Sequence, residues 1–226
     1  MDRFKVIQPS VLLAPYVKQY WFLRMEEVVQ SSQRLVPFGC MALSFHRGNR
    51  TYSSQAKGFL PESHLYGMTT GYTDLVFSGT VDLICIVFKP AGANLFFKTP
   101  LYELNNSYAS LDALSDPDWL ELEQRLNEAT DDPACVGLIE QFLISRIYRL
   151  DKQEDKRISA VIDSICCGDT DVNRLAQTAC LCYKQFKRLF LENIGINPKD
   201  FLQIVRFQKL HRFLQLHTDM TVAELA

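Results

Sequence analysis

Lys184, Lys187 and Arg188 recur at intervals of three and four residues, with Gln185 among them. On a helix turning about 100° per residue these side chains fall into one polar band. Three cations so placed can meet the phosphates of a nucleic acid or the acceptor edge of guanine, and a glutamine can pair with adenine. Phe186, Leu189 and Phe190 gather on the opposite side, with Tyr183 at its edge, where they would hold the helix on its core. Leu191 lies near the basic band and reads as packing on a neighbouring helix. The same band fits a merely solvated helix face, so its surroundings have to decide.

Two other groups of residues invite chemistry. Cys180 and Cys182, with Cys166 and Cys167 nearby, suggest a metal cluster, but no C-x-x-C is present, and His211 and His217 fall on what reads as one continuous helix. Isolated cysteines are more often small buried hydrophobes, so no metal and no cofactor is expected. His46 and His64 lie near Ser44, Glu62 and Ser63, yet no H-x-H, H-E-x-x-H, G-x-S-x-G or phosphate-loop pattern accompanies them. A lone histidine on a strand is usually structural, and the chain reads as no enzyme.

Charge supports the basic band only when it is divided along the chain. The 226 residues carry a net charge of −2, but residues 174–212 hold eight basic side chains against two acidic ones, a local +6. At 47% hydrophobic and 22% charged the chain is long enough for one large or two modest globular domains. No apolar run approaches the roughly 20 residues of a membrane span, and no signal-peptide core follows Met1. Seven cysteines at irregular spacing argue against a disulfide framework. A cytoplasmic protein without a membrane partner is expected.

The elements that would position the band follow from periodicity. The first ninety residues read as mostly β. Met41, Leu43 and Phe45 face one way and Ala42, Ser44 and His46 the other, as on a half-buried strand. Residues 74–77 and 81–88 flank Ser78-Gly79-Thr80, a predicted hairpin. The run 83–88 lacks polar alternation and reads as a central strand covered on both faces, ending by Pro90. The period then becomes helical. Asp116-Pro117 and Asp132-Pro133 each put a capping carboxylate before a first-turn proline. Trp119, Leu122 and Leu126 form one core stripe, and Val136, Ile139, Leu143 and Ile147 the next. The charged stretch 151–155 marks a boundary. Beyond it the pattern predicts a helix at 156–167 closed by Gly168, short helices at 171–179 and about 183–194 with Gly195 as C-cap, and a long helix from Asn197-Pro198 to about Leu216. Only three residues join the two short helices, an arrangement expected of a helix-turn-helix with Leu175, Ala176 and Leu181 at the crossing. Thr221-Val222-Ala223-Glu224 is a capping-box pattern that begins a further helix.

The run Asp171-Val172-Asn173-Arg174-Leu175-Ala176, with Tyr183-Lys184-Gln185-Phe186-Lys187-Arg188-Leu189-Phe190, Gly195-Ile196-Asn197-Pro198, Phe201-Leu202, Val205-Arg206 and Ala223-Glu224-Leu225-Ala226, resembles the DNA-binding region of AraC/XylS-family transcriptional regulators. That resemblance implies two helix-turn-helix units joined by a long helix, with Lys184, Lys187 and Arg188 at positions that contact DNA in the first; the second unit is expected to be cut short here. Tyr20-Trp21-Phe22, Leu35-Val36-Pro37-Phe38-Gly39-Cys40, Gly67-Met68, Val81-Asp82-Leu83 and Val87-Phe88-Lys89-Pro90-Ala91-Gly92 resemble the N-terminal domain of one bacterial subgroup of the family.

The expectation is therefore an α+β chain: a β-rich N-terminal sensor or dimerisation domain with C-terminal helices over 1–150, then an all-α helix-turn-helix domain, incomplete, over 155–226. Its expected partners are double-stranded DNA, read by Tyr183, Lys184, Gln185, Lys187 and Arg188, a small-molecule effector and a second copy of the chain. Tyr20, Trp21, Phe59, Tyr66, Tyr72 and Phe77 would either enclose the effector or form plain core. The alternatives are a module whose helical segment docks a protein instead of DNA, and a truncated regulator that binds DNA weakly.

Overall fold

The computed structural model describes residues 3–150 and 155–216. Most of the boundary stretch (151–154), His217 and the capping pattern at 221–224 lie outside them. Eight strands form among the described residues: β1 (Arg3–Ile7), β2 (Val17–Leu35), β3 (Ala42–His46), β4 (Tyr52–Ser53), β5 (Gly58–Phe59), β6 (Ser63–Tyr66), β7 (Thr73–Phe88) and β8 (Tyr108–Ser110). They make one antiparallel sheet of order β1-β2-β7-β3-β6-β8, with β4 and β5 attached at the Thr73 end of β7.

β7 is the spine of the sheet and corrects the expected hairpin. It runs unbroken through Ser78-Gly79-Thr80 and pairs with β2 from Val17↔Phe88 to Leu35↔Thr73. The register shifts around Val28, which stands opposite Gly79. Gly79 has φ +70°, and the Asn49 side chain accepts a hydrogen bond from the Thr80 N–H at 2.9 Å. A turn-forming tripeptide here serves a bulge that bends a long strand, not a reversal. The second correction concerns β3, whose five residues are all buried. Leu43 and Phe45 face the helices, while Ala42, Ser44 and His46 face an internal cavity.

On the helix side, Tyr20, Phe22, Leu43, Phe45, Ile84, Ile86 and Phe88 meet Trp119, Leu122 and Ile139 in one core. These last belong to α1 (Pro117–Glu128) and α2 (Asp132–Leu150). Trp119 stacks on Phe97 with ring centroids 4.8 Å apart. Neither foreseen carboxylate caps its helix. Asp116 stands at the N-cap of α1, but its carboxylate is taken by Arg146, which also lies over the Trp119 ring. At α2 the capping acceptor is Asp131, which takes the Ala134 N–H at 2.8 Å, while Asp132 pairs with Lys5 and Arg24. Charged side-chain donors compete for a carboxylate more strongly than a backbone amide does.

Four further helices follow: α3 (Lys156–Cys166), α4 (Val172–Thr178), α5 (Tyr183–Ile194) and α6 (Pro198–Leu216). Their starts obey local chemistry, with the Asp155, Asp171 and Asn197 side chains accepting from Arg157, Asn173 and Asp200 N–H groups. The apolar core continues into them without a break, from Leu13 to Ile204. The whole is α+β.

Candidate nucleic-acid interface

α4 ends in a Schellman arrangement. Cys180 adopts φ +54°, its N–H reaches the Gln177 carbonyl, and the Leu181 N–H reaches that of Ala176. Half-buried Leu181 then packs on the core. This turn redirects the chain within four residues into α5. Phe186, Phe190 and Ile194 are fully buried on one side of α5, and the Phe190 ring lies 5.6 Å from that of Phe201 in α6. Lys184, Gln185, Lys187 and Arg188 are exposed away from these, and Tyr183, three residues before Phe186, is exposed in the first turn at the edge of the apolar side. The four polar residues of the expected site thus share one solvent-facing side of one helix, with exposed Tyr183 bordering it. Within it Arg188 approaches Glu192 at 3.8 Å, an exposed pair that leaves most of the cation's donors open. Half-buried Leu189 packs on the core, whereas half-buried Leu191, four residues after Lys187, continues the side of the cations.

The far end of α5 is seated on the sheet half. Gly195 closes it at φ +91°, and a Cβ there would come within 2.7 Å of the Met41 methyl and 2.9 Å of the Leu101 carbonyl oxygen. Asn94 donates to Asn193 at 3.0 Å, and Gln208 of α6 donates to the Pro37 carbonyl. Gly39 lies against Ile204 and Phe201.

Inside the sheet is an apolar cavity of about 440 Å³. Of the six aromatics picked out from the sequence, Trp21, Tyr66 and Phe77 line it, Tyr20 belongs to the helix-side core, and Phe59 and Tyr72 are exposed. Ser44, His46 and His64 also line it, but Glu62 is exposed and Ser63 bonds to Glu123 outside it. The two imidazoles stack at 5.5 Å. Burial pushes His64 down to about 4 and lowers His46 too. Phe38, Thr51, Leu60 and Cys85 are among further wall residues that the sequence did not single out, with Gln33 a polar one among them; the only signal was the small or polar alternation of Ala42, Ser44 and His46. Among the described residues no three His, Cys, Asp or Glu side chains converge as metal ligands do. Cys166, Cys167, Cys180 and Cys182 are exposed around α4, whereas Cys40, Cys85 and Cys135 are buried. No helix among the described residues is long and apolar enough to cross a membrane.

The site so defined is a basic helix face carried on an α+β body with an internal cavity. The profile of a family described as a domain of unknown function, DUF6597, matches residues 5–110, from within β1 to the end of β8. No curated protein matches the chain. Among solved structures, ToxT from Vibrio cholerae is 10% identical, with 82% of this chain and 98% of that one covered at a TM-score of 0.27. CuxR, described as an AraC-like transcriptional activator, is 12% identical, with 93% and 86% covered at 0.33. Overlap at this level fixes neither fold detail nor function, which rest on the chain's own residues.

Proposed function

We propose that the chain is a cytoplasmic, sequence-specific DNA-binding regulator of transcription that responds to a small molecule, with residues 1–150 as sensor and dimerisation half and 155–226 as the DNA-binding half. The observation that carries this is α5. It follows α4 after a tight turn, buries two phenylalanines behind it, and presents Tyr183, Lys184, Gln185, Lys187 and Arg188 together to solvent. A helix held by its aromatic side with cations and an amide outward suits a major groove. Lys184, Lys187 and Arg188 serve phosphates and guanine edges, and Gln185 an adenine.

Responsiveness is supported by the segment 36–41, which separates cavity from helices. Phe38 lines the cavity, while Pro37 and Gly39, on either side of it, touch Gln208, Phe201 and Ile204 of α6. A ligand that moves Phe38 moves the seat of α6.

The test is fluorescence anisotropy of a labelled duplex taken from beside the protein's own gene, over a salt series. Binding should weaken steeply with salt. Changing Lys184, Lys187 and Arg188 together to Ala should lower the log–log salt slope by up to about 3, roughly 0.9 for each phosphate no longer neutralised. Binding indifferent to the three changes would instead favour a helix that docks a protein.

A further inference from the structure

We propose that the cavity inside the sheet takes an uncharged, largely apolar molecule and rejects carboxylates and phosphates. This rests on the reading of the sheet as the sensor half and names what it senses.

Among the described residues no Lys, Arg, Asp or Glu lines the cavity. The nearby arginines are spoken for: Arg34 by Asp74, Arg47 by Asp82, and Arg24 by Asp82 and Asp132. An anion inside would therefore lose its hydration with no cation to replace it. Nor do the imidazoles supply one near neutral pH, since burial keeps His64 and His46 neutral there. About 440 Å³ is ample for a bicyclic or similar ligand.

The polar groups of the wall sharpen the class. The Trp21 indole N–H is buried and has no hydrogen-bond partner among the described residues, though its ring is fixed between Phe4 and Phe38. That N–H is closed off from the open space of the cavity, so a ligand there meets the face of the ring and not its donor. His46 has nothing to offer: its Nδ1 donates to the Glu62 carbonyl at 3.0 Å and its Nε2 accepts from the Thr51 hydroxyl at 2.9 Å. His64 differs. Its Nδ1 must carry the proton, because it donates to the Pro61 carbonyl at 3.2 Å, so in the neutral ring Nε2 is an acceptor. Ser44 and Cys85 bond to each other at 3.3 Å. The wall thus presents one imidazole acceptor, the amide of exposed Gln33 at its rim and otherwise largely apolar surface, with no charge.

The experiment titrates the full chain with three matched dyes: the neutral ketone 6-propionyl-2-(dimethylamino)naphthalene, the anion 6-(dimethylamino)-2-naphthoate, and 2-(dimethylamino)naphthalene, which lacks the ketone. The ketone should saturate one site with emission shifted to shorter wavelength, and the carboxylate should bind at least about tenfold more weakly. Trp21→Phe, which keeps an aromatic wall and removes a donor closed off from the cavity, should leave both the ketone and 2-(dimethylamino)naphthalene within about twofold. Ala42→Phe, which fills the cavity from β3, should abolish ketone binding, with circular dichroism showing that each variant is folded. Equal or tighter binding of the carboxylate, no saturable ketone binding, or ketone binding that survives Ala42→Phe in folded protein would overturn the proposal. Ketone binding that obeys both variants yet leaves affinity for DNA unchanged would sink the effector reading alone and leave the ligand chemistry standing.

Discussion

Single residues decide whether the basic face is held in place. Gly195 combines a left-handed backbone with close approach to the Leu101 carbonyl, so two costs add at one position. Gly195→Ala should lower stability by about 2–4 kcal/mol, since left-handed backbone alone costs an L-residue about 1–2 kcal/mol; denaturation in urea reads it. Cys180 is the converse case, a side chain at φ +54° where glycine would sit freely. Cys180→Gly should raise the melting temperature, with a net gain of about 0.5–1 kcal/mol after the glycine's own chain entropy. Gly195 as a cap was legible because glycine after a periodic helix is a stop signal. Its contact with Met41 was not, because nothing local encodes which distant residue will lie there. That Lys184, Gln185, Lys187 and Arg188 would stand exposed on one helix was legible for the same reason as the cap: a short amphipathic helix reveals its two sides in its own spacing.

Among elements, the sequence showed the helices better than the strands. The helices α1 to α6 appear within a residue or two of where their caps and stripes placed them. The misreading of β7 as two strands has a physical source, since Ser-Gly-Thr suits a bulge as well as a turn, and only the partner strand distinguishes them. Likewise Asp116 had the right position for a cap, but its use depends on Arg146, thirty residues on in α2 and itself buried. That pair ties α1 to α2. Arg146→Met should therefore cost up to about 3–5 kcal/mol by leaving the buried Asp116 carboxylate with the exposed Lys98, at 3.9 Å, as its remaining cation, and adding Asp116→Asn should recover part of it; a double-mutant cycle in urea gives the comparison, and additive losses would refute the coupling.

At the scale of the whole molecule, the cavity that makes room for a ligand also makes stability depend on pH. His64 sits near 4 when folded against about 6.5 when unfolded, so between these values the unfolded chain binds more protons and stability falls as pH drops. Urea unfolding between pH 7 and 4 should show a loss of up to about 1.4 kcal/mol per pH unit from this group, with His46 adding in the same direction. His64→Gln should flatten the slope, and an unchanged slope would place its origin elsewhere. The continuous core further predicts one cooperative calorimetric transition, not two.

Met41 and Ala42 are consecutive, yet the first is wedged at Gly195 and the second forms wall of the cavity. The sheet and the helical half are therefore poor candidates for exchange as interchangeable parts. A chimera that joins this sheet to another protein's helices must bring its own glycine to meet Met41, or else trim Met41 and accept a different wall beside Ala42.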